Sequence, residues 1–339
     1  MIRFIASLFC FAVVLPACTG AEERVVINEL LAHSHGKASD WIELYNTTDK
    51  AIDIGGWYLS DSGKGGLIEK KYRIASDTVI EACGYLVFYQ YDSFGKLTDS
   101  GCIEPFGLSE AGETVYLVNK DGASNQVAFD ASPNGRSFGR FEKTAAPGSC
   151  YFTPMDKATP GAQNSLPYIS PVVITEIYYN PPEGKEYEFI ELKNRSERPV
   201  VLVEREVTTA ISPEKKIKED LSWCIKGIGF EFPVNTILAA GEVVVVAKNP
   251  ALACYAGLGK VFGPYSGALN NGGEQIELQI PGDLEYGSER YMIPIEKVDY
   301  SESAPWPVSA DGASLNRANL SAYANDYSNW RALAASPGH

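Results

Sequence analysis

Two acidic pairs recur in this chain at nearly the same spacing, Glu29 with Glu43 and Glu176 with Glu191. Paired carboxylates carry acid–base chemistry at glycosidic bonds when one is held neutral and the other ionised. That chemistry needs an open cleft and separate tuning of each group, and two identical sites in two small domains would be odd for a glycosidase. The expectation is therefore structural: the carboxylates accept hydrogen bonds from loop backbone N–H groups or pair with Arg140 and Arg317. A second constellation is His33 and His35, two apart and so on one side of an extended segment. With Asp40 they are candidate ligands for a divalent metal. The corresponding stretch later in the chain, Tyr179-Asn180-Pro181-Pro182, has no histidine, and a polar loop tip is the competing reading. A serine nucleophile has no GxSxG context and no evident histidine partner. P-loop, dinucleotide and EF-hand signatures are missing, so no cofactor is expected.

The elements that must position these residues come twice. VVINEL at Val25, a gap, and DWIELYN ending at Asn46 are matched by VVITEI at Val172, a gap, and EFIELKN ending at Asn194. Ile27, Glu29, Ile42, Glu43, Leu44 and Asn46 fall on Ile174, Glu176, Ile190, Glu191, Leu192 and Asn194. Self-similarity of this kind sets the domain count, and 339 residues suit about two domains of roughly 150 residues. Both copies read as short β-branched and aromatic runs divided by Gly, Asp, Asn and Ser clusters, the pattern of a sandwich or barrel. In the first copy the strands are expected at 25–31, 41–46, 52–59, 85–89, 114–119 and 126–129. Alternation along Asp40–Asn46 places Ile42 and Leu44 on a core face, with Trp41, Glu43 and Tyr45 on the other. The proline-rich stretch 153–171 reads as a semi-rigid connector, which divides the chain into 22–152 and 172–339. A charged insertion at 204–222 interrupts the second copy and is expected as a short surface helix or a disordered loop.

A net charge of −14 argues against nucleic-acid binding, which requires a basic face. Residues 1–21 read as an export signal, with Arg3 followed by the apolar run Phe4–Leu15. Leu15-Pro16-Ala17-Cys18 resembles a bacterial lipoprotein box, in which Cys18 carries the lipid; cleavage after Ala21 is the alternative. Beyond the signal lie Cys83, Cys102, Cys150, Cys224 and Cys254, an odd set. Export permits disulfides, and Cys83–Cys102 and Cys224–Cys254 are the economical pairings. Small buried thiols are the other reading. Tyrosine is abundant, at 19 residues, and Tyr72, Tyr85, Tyr89, Tyr91, Tyr178, Tyr179 and Tyr187 cluster in or beside strands. They read as ordinary packing or as a stacking face for sugars or a protein.

The order of these motifs resembles the lamin tail domain family. In the first copy it runs Asn28-Glu29, Asp40 to Asn46, Gly56-Trp57, Gly84 to Tyr89, Gly112 to Leu117, Ser137 to Arg140 and Thr159-Pro160-Gly161-Ala162-Gln163-Asn164. The second copy follows with Thr175-Glu176, Glu188 to Asn194, Trp223, Phe230-Glu231-Phe232-Pro233, Gly241 to Lys248, Gly272 to Leu278, Pro305-Trp306-Pro307 to Arg317, Trp330 and Ser336-Pro337-Gly338. Thr175 departs from the family's Asn, and the chain stops at His339, before the family's final Asn. The resemblance implies an all-β chain of two immunoglobulin-like β-sandwiches in tandem after the signal segment. It also implies an accessory module at the bacterial envelope. The resulting expectation is a non-catalytic exported protein, lipid-anchored or secreted, for binding, adhesion or assembly. Its partner would be an extracellular protein or glycan, met through loops or a strand edge. A carbohydrate-binding module, or a secreted hydrolase using the carboxylates or a metal, is the alternative.

Overall fold

The structure is a computed structural model that describes residues 24–35, 38–64, 67–122, 124–144, 146–204, 207–209, 212–217, 221–284, 290–308 and 312–339. The signal segment and Cys18 lie outside the described residues. The described chain is built of strands and turns, with three single-turn 3₁₀ segments.

The first domain carries β1 (Val25–Leu31), β2 (Trp41–Asn46), β3 (Tyr58–Ser60), β4 (Tyr72–Arg73), β5 (Tyr85–Tyr89), β6 (Gly112–Val118), β7 (Ser124–Asp130), β8 (Phe138–Glu142) and β9 (Cys150–Pro154). One sheet runs β9-β8-β1-β2-β5 and the facing sheet β7-β6-β3-β4. Ile27, Leu30, Ile42 and Leu44 from the first meet Leu59, Val115 and Leu117 from the second, all essentially without solvent exposure. Each such side chain contributes roughly 1.5–3 kcal/mol by leaving water. The expected core face of 40–46 is the observed one. The strand expected over 52–59 divides, because Asp53 turns its carboxylate onto the Gly55 N–H and ends the first piece.

The second domain continues with β10 (Val172–Tyr178), β11 (Phe189–Asn194), β12 (Val207–Thr209), β13 (Ser212–Ile217), β14 (Cys224–Lys226), β15 (Phe230–Glu231), β16 (Val243–Ala247), β17 (Lys260–Phe262), β18 (Gly273–Leu284), β19 (Arg290–Ser301), β20 (Ala313–Arg317) and β21 (Trp330–Ala334). Its sheets run β17-β16-β11-β10-β20-β21 and β13-β12-β18-β14-β15, with β19 also on β18. The chain is thus two immunoglobulin-like sandwiches in tandem. Trp330 is fully buried at the base of the second core, its indole Nε1–H donating to Ala324 O at 2.7 Å.

Two expectations change. The insertion at 204–222 forms neither a helix nor an irregular loop where it is described: β12 and β13 pair antiparallel, and β12 joins β18. The β-branched run Val207-Thr208-Thr209 favours a strand, and it pairs with Val207 opposite Ile217 and Thr209 opposite Ser212. The stretch 153–171 is more than a connector. Thr153 and Pro154 belong to β9, Met155 bridges Pro167, and the turn between them folds back under the first domain.

Candidate functional site

The acidic pairs owe their placement to a β-bulge. In β1 the register against β2 shifts between Ile27 and Glu29, and in β10 against β11 between Ile174 and Glu176. Strict alternation would put Glu29 on the same face as Ile27, inside the core. The extra residue, Asn28 or Thr175, reverses the sides, so that Leu30 and Ile177 enter the core while Glu29 and Glu176 turn outward. There Glu29 stands directly across from Glu43, and Glu176 from Glu191.

Two carboxylates in direct register repel, yet all four are buried. What holds them is the terminal turn of each copy. Thr159 donates its N–H at 3.1 Å and its hydroxyl at 2.7 Å to Glu29, and Ser137 adds its hydroxyl at 2.6 Å. Glu43 accepts Asn28 Nδ2–H at 2.7 Å and the Gly161 N–H. Asn164 completes the clasp by donating to Arg140 O at 2.9 Å and accepting from Asn28 Nδ2 at 2.7 Å. In the second copy Glu176 accepts the Ser314 hydroxyl and the Ser336 N–H, and Glu191 accepts the Thr175 hydroxyl at 2.6 Å and the Gly338 N–H at 2.7 Å. The residue types follow from the geometry. Thr or Ser supplies two donors, Pro presets the turn, and glycine takes the left-handed conformation, with φ of 82° at Gly161 and 85° at Gly338.

Burial pushes Glu43 up to about 7, against the opposing pull of the Gly161 and Asn28 hydrogen bonds and with help from Glu29. Burial likewise raises Glu29 and Glu191. A raised carboxyl is what a general acid needs, but these groups face their own clasp and not a cleft. The expected partnership with Arg140 and Arg317 does not form. Arg140 offers only its carbonyl, to Asn164, and Arg317 is buried against Glu296, Ile174 O and Ala322 O. The hydrogen-bonding alternative is the one the structure adopts.

The histidines diverge. His33 packs between Ser132 O, at 3.0 Å from Nδ1, and Glu110, at 3.1 Å from Nε2, while His35 lies exposed against Gly135. Asp40 takes hydrogen bonds from Ser34 and is pushed up to about 6 by burial. Among the described residues no group of three or more His, Cys, Asp and Glu is placed to hold a metal. The cysteine pairings are also corrected, since Cys83, Cys102, Cys150, Cys224 and Cys254 are free thiols. Cys83 sits in the turn before β5, against Thr48 O, whereas Cys102 bridges to Tyr72 in the facing sheet. Cys224 lies in β14 of one sheet and Cys254 in the turn after β16 of the other. Of the tyrosines, Tyr72, Tyr178 and Tyr179 are core, Tyr85 stacks on Tyr45 at 4.7 Å, and Tyr89 and Tyr91 are exposed.

The open polar site lies where the two sandwiches meet. Tyr323 stands edge-on to Tyr151 at 5.0 Å and to Phe141 at 6.3 Å, and Lys297 reaches Asp130 at 3.0 Å. Beside this contact is a cavity of 610 Å³ lined by Phe141, Leu166, Arg195, Asn319, Tyr323 and Arg331. Arg195 is anchored by its hydrogen bond to Ser321 Oγ at 2.9 Å, and Arg331 by bonds to Ser328 O and Trp330 O. Its lining mixes apolar side chains with polar and charged ones, Asp156, Asp326, Arg195 and Arg331 among them, and it lies at a domain junction, where ligand pockets preferentially occur. No spacing in the sequence announced it, because its residues come from four separate segments of chain.

The model of the Lamin Tail Domain family matches residues 19–130 and 167–285. A search of curated proteins and a search of solved structures each found no match. The matched spans cover the bulged strands and the Glu pairs of both copies, and the family is a non-catalytic immunoglobulin-like domain. Two matches over most of the chain, on two sandwiches with the same bulge and the same carboxylate register, make this chain a member of the Lamin Tail Domain family that carries the domain twice.

Proposed function

We propose that the chain is a non-catalytic exported binding and assembly module of the cell envelope, held by a lipid on Cys18 or secreted after cleavage near Glu22. It engages an extracellular protein or glycan. One observation carries the reading: the carboxylates repeated in both copies, the residues best suited to acid–base chemistry, are buried and consumed by hydrogen bonds that close each fold. Recognition is left to surfaces between and beside the sandwiches, the 610 Å³ junction cavity among them.

The test is affinity capture of the exported protein from its native envelope, with mass spectrometry of its N-terminal peptide. A defined partner is expected, captured less well by Arg195→Ala and Arg331→Ala variants, together with a diacylglyceryl Cys18 or a start at Glu22. Hydrolytic turnover that Glu43→Gln abolishes in a folded protein would sink the reading.

A further inference from the structure

The two sandwiches differ at one sheet edge. In the second domain β16 is not the edge: β17 pairs with it in parallel, Val244, Val245 and Val246 opposite Lys260, Val261 and Phe262. The chain leading to β17 also covers the outer face beside it. Tyr178, Phe189, Val245, Ala247 and Tyr255 form a small separate core there, with Leu252, Leu258 and Val261 packed against it.

In the first domain the corresponding strand, β5, is the last of its sheet. The registers make the equivalence explicit: Val87 opposes Glu43 as Val245 opposes Glu191. The segment that would lie on β5 goes elsewhere. Cys102 bridges Tyr72, Arg73 N donates to Gly101 O, and Ile103 N donates to Lys71 O, so this stretch extends the opposite sheet at β4.

The consequence is an edge that no strand fills among the described residues. Asn46 N donates to Gly84 O and Gln90 N to Asp40 O, which fixes the residues that face β2 as Gly84, Leu86, Phe88 and Gln90. Tyr85, Val87 and Tyr89 therefore aim their backbone groups away from the sheet. Tyr89 O is taken by Ser93, while the N–H and C=O of Tyr85 and Val87 have no backbone partner among the described residues. The outer face beside them is apolar and partly open: Val87 is half-buried, and Tyr89 is 40% exposed where the second domain has buried Ala247.

We propose that β5 is a strand-addition site, filled by an extended segment of another polypeptide that runs parallel to Tyr85–Tyr89 and lays alternate apolar side chains over Val87 and Tyr89. The template is the chain's own 250–264, which does this to β16. Main-chain hydrogen bonds supply affinity, and the apolar face supplies register. The inference deepens the binding reading above and rests on it.

The experiment uses the full chain and a fluorescein-labelled synthetic peptide of residues 250–264 with Ser in place of Cys254, beside a scrambled control. Anisotropy should show binding of the template alone, with slowed amide exchange at Tyr85, Val87 and Tyr89. Val87→Pro removes one outward N–H, a change an edge strand tolerates, and should weaken binding about ten-fold, the worth of one hydrogen bond. Tyr89→Asp, which leaves the backbone intact, should weaken it as well. Equal binding of the scrambled peptide, no binding of either peptide, or protection elsewhere with both variants unaffected would overturn the proposal. Capture of an envelope partner equally by wild type and Val87→Pro would overturn it while leaving the binding reading standing.

Discussion

At the scale of single residues, Asn46 and Asn194 do the same work in the two copies. Asn46 Nδ2 donates to Lys50 O, Ile80 O and Glu81 O at 2.7–3.0 Å, and its Oδ1 accepts from Thr48. Asn194 repeats the set with Arg198 O, Leu238 O, Ala239 O and Ser196. Alanine at either position strands buried carbonyls, and a loss of roughly 2–4 kcal/mol is expected in urea titrations. The buried carboxyls set a pH dependence whose sign is fixed. Glu43 rises from 4.5 to about 7 on folding, and Glu29 and Glu191 move the same way. Between these values the folded chain holds protons that the unfolded chain has released. The contribution of Glu43 is therefore full below about pH 4.5 and lost as pH rises through about 7, and those of Glu29 and Glu191 have the same sign. The urea midpoint should be higher at pH 5 than at pH 8, and Glu43→Gln should flatten that difference.

At the scale of elements, the terminal turn is part of each sandwich although it lies outside both sheets. Gly161 has a φ of 82° and nothing within 4 Å of a built Cβ, so Gly161→Ala meets only backbone strain. A cost of about 1 kcal/mol is expected, read as a lowered melting temperature. Trp330, at the start of β21, is a different case. It is fully enclosed, and Trp330→Ala should cost about 3–5 kcal/mol by leaving a cavity. The motif order made these elements readable in advance: Thr159-Pro160-Gly161 and Ser336-Pro337-Gly338 recur because both must offer the same donors to a carboxylate pair. The short strands β4, β14 and β17 were not readable. Two or three residues carry no period, and each is a strand only because a neighbour offers it a ladder.

At the scale of the molecule, the contact between the sandwiches combines an aromatic cluster with the Lys297–Asp130 ion pair. Tyr323 supplies the aromatic part, against Tyr151 and Phe141. Tyr323→Ala should uncouple the domains, giving two calorimetric transitions in place of one and faster proteolysis at 157–170. A variant that still melts in a single step would show that the domains are joined by other means. The junction cavity should open in the same variant, because Tyr323 forms one of its walls.

The amino-acid sequence by itself determined the repeat, the all-β character, the core faces of β2 and β11, and the register-bearing motifs that place the chain in its family. These follow from local rules, since side-chain alternation and turn chemistry act over a few residues. Only the tertiary structure decided what the carboxylates are for. A one-residue bulge turned Glu29 and Glu176 outward, opposite Glu43 and Glu191, and the terminal turn of each copy, 130 residues beyond Glu29 and 160 beyond Glu176, arrived with the hydrogen-bond donors that hold each pair. It also decided that the cysteines lie apart, that His33 and His35 face different neighbours, and that among the described residues one of two equivalent edges lacks a covering strand. Each of these depends on where distant parts of the chain come to rest, and spacing along the sequence does not encode that.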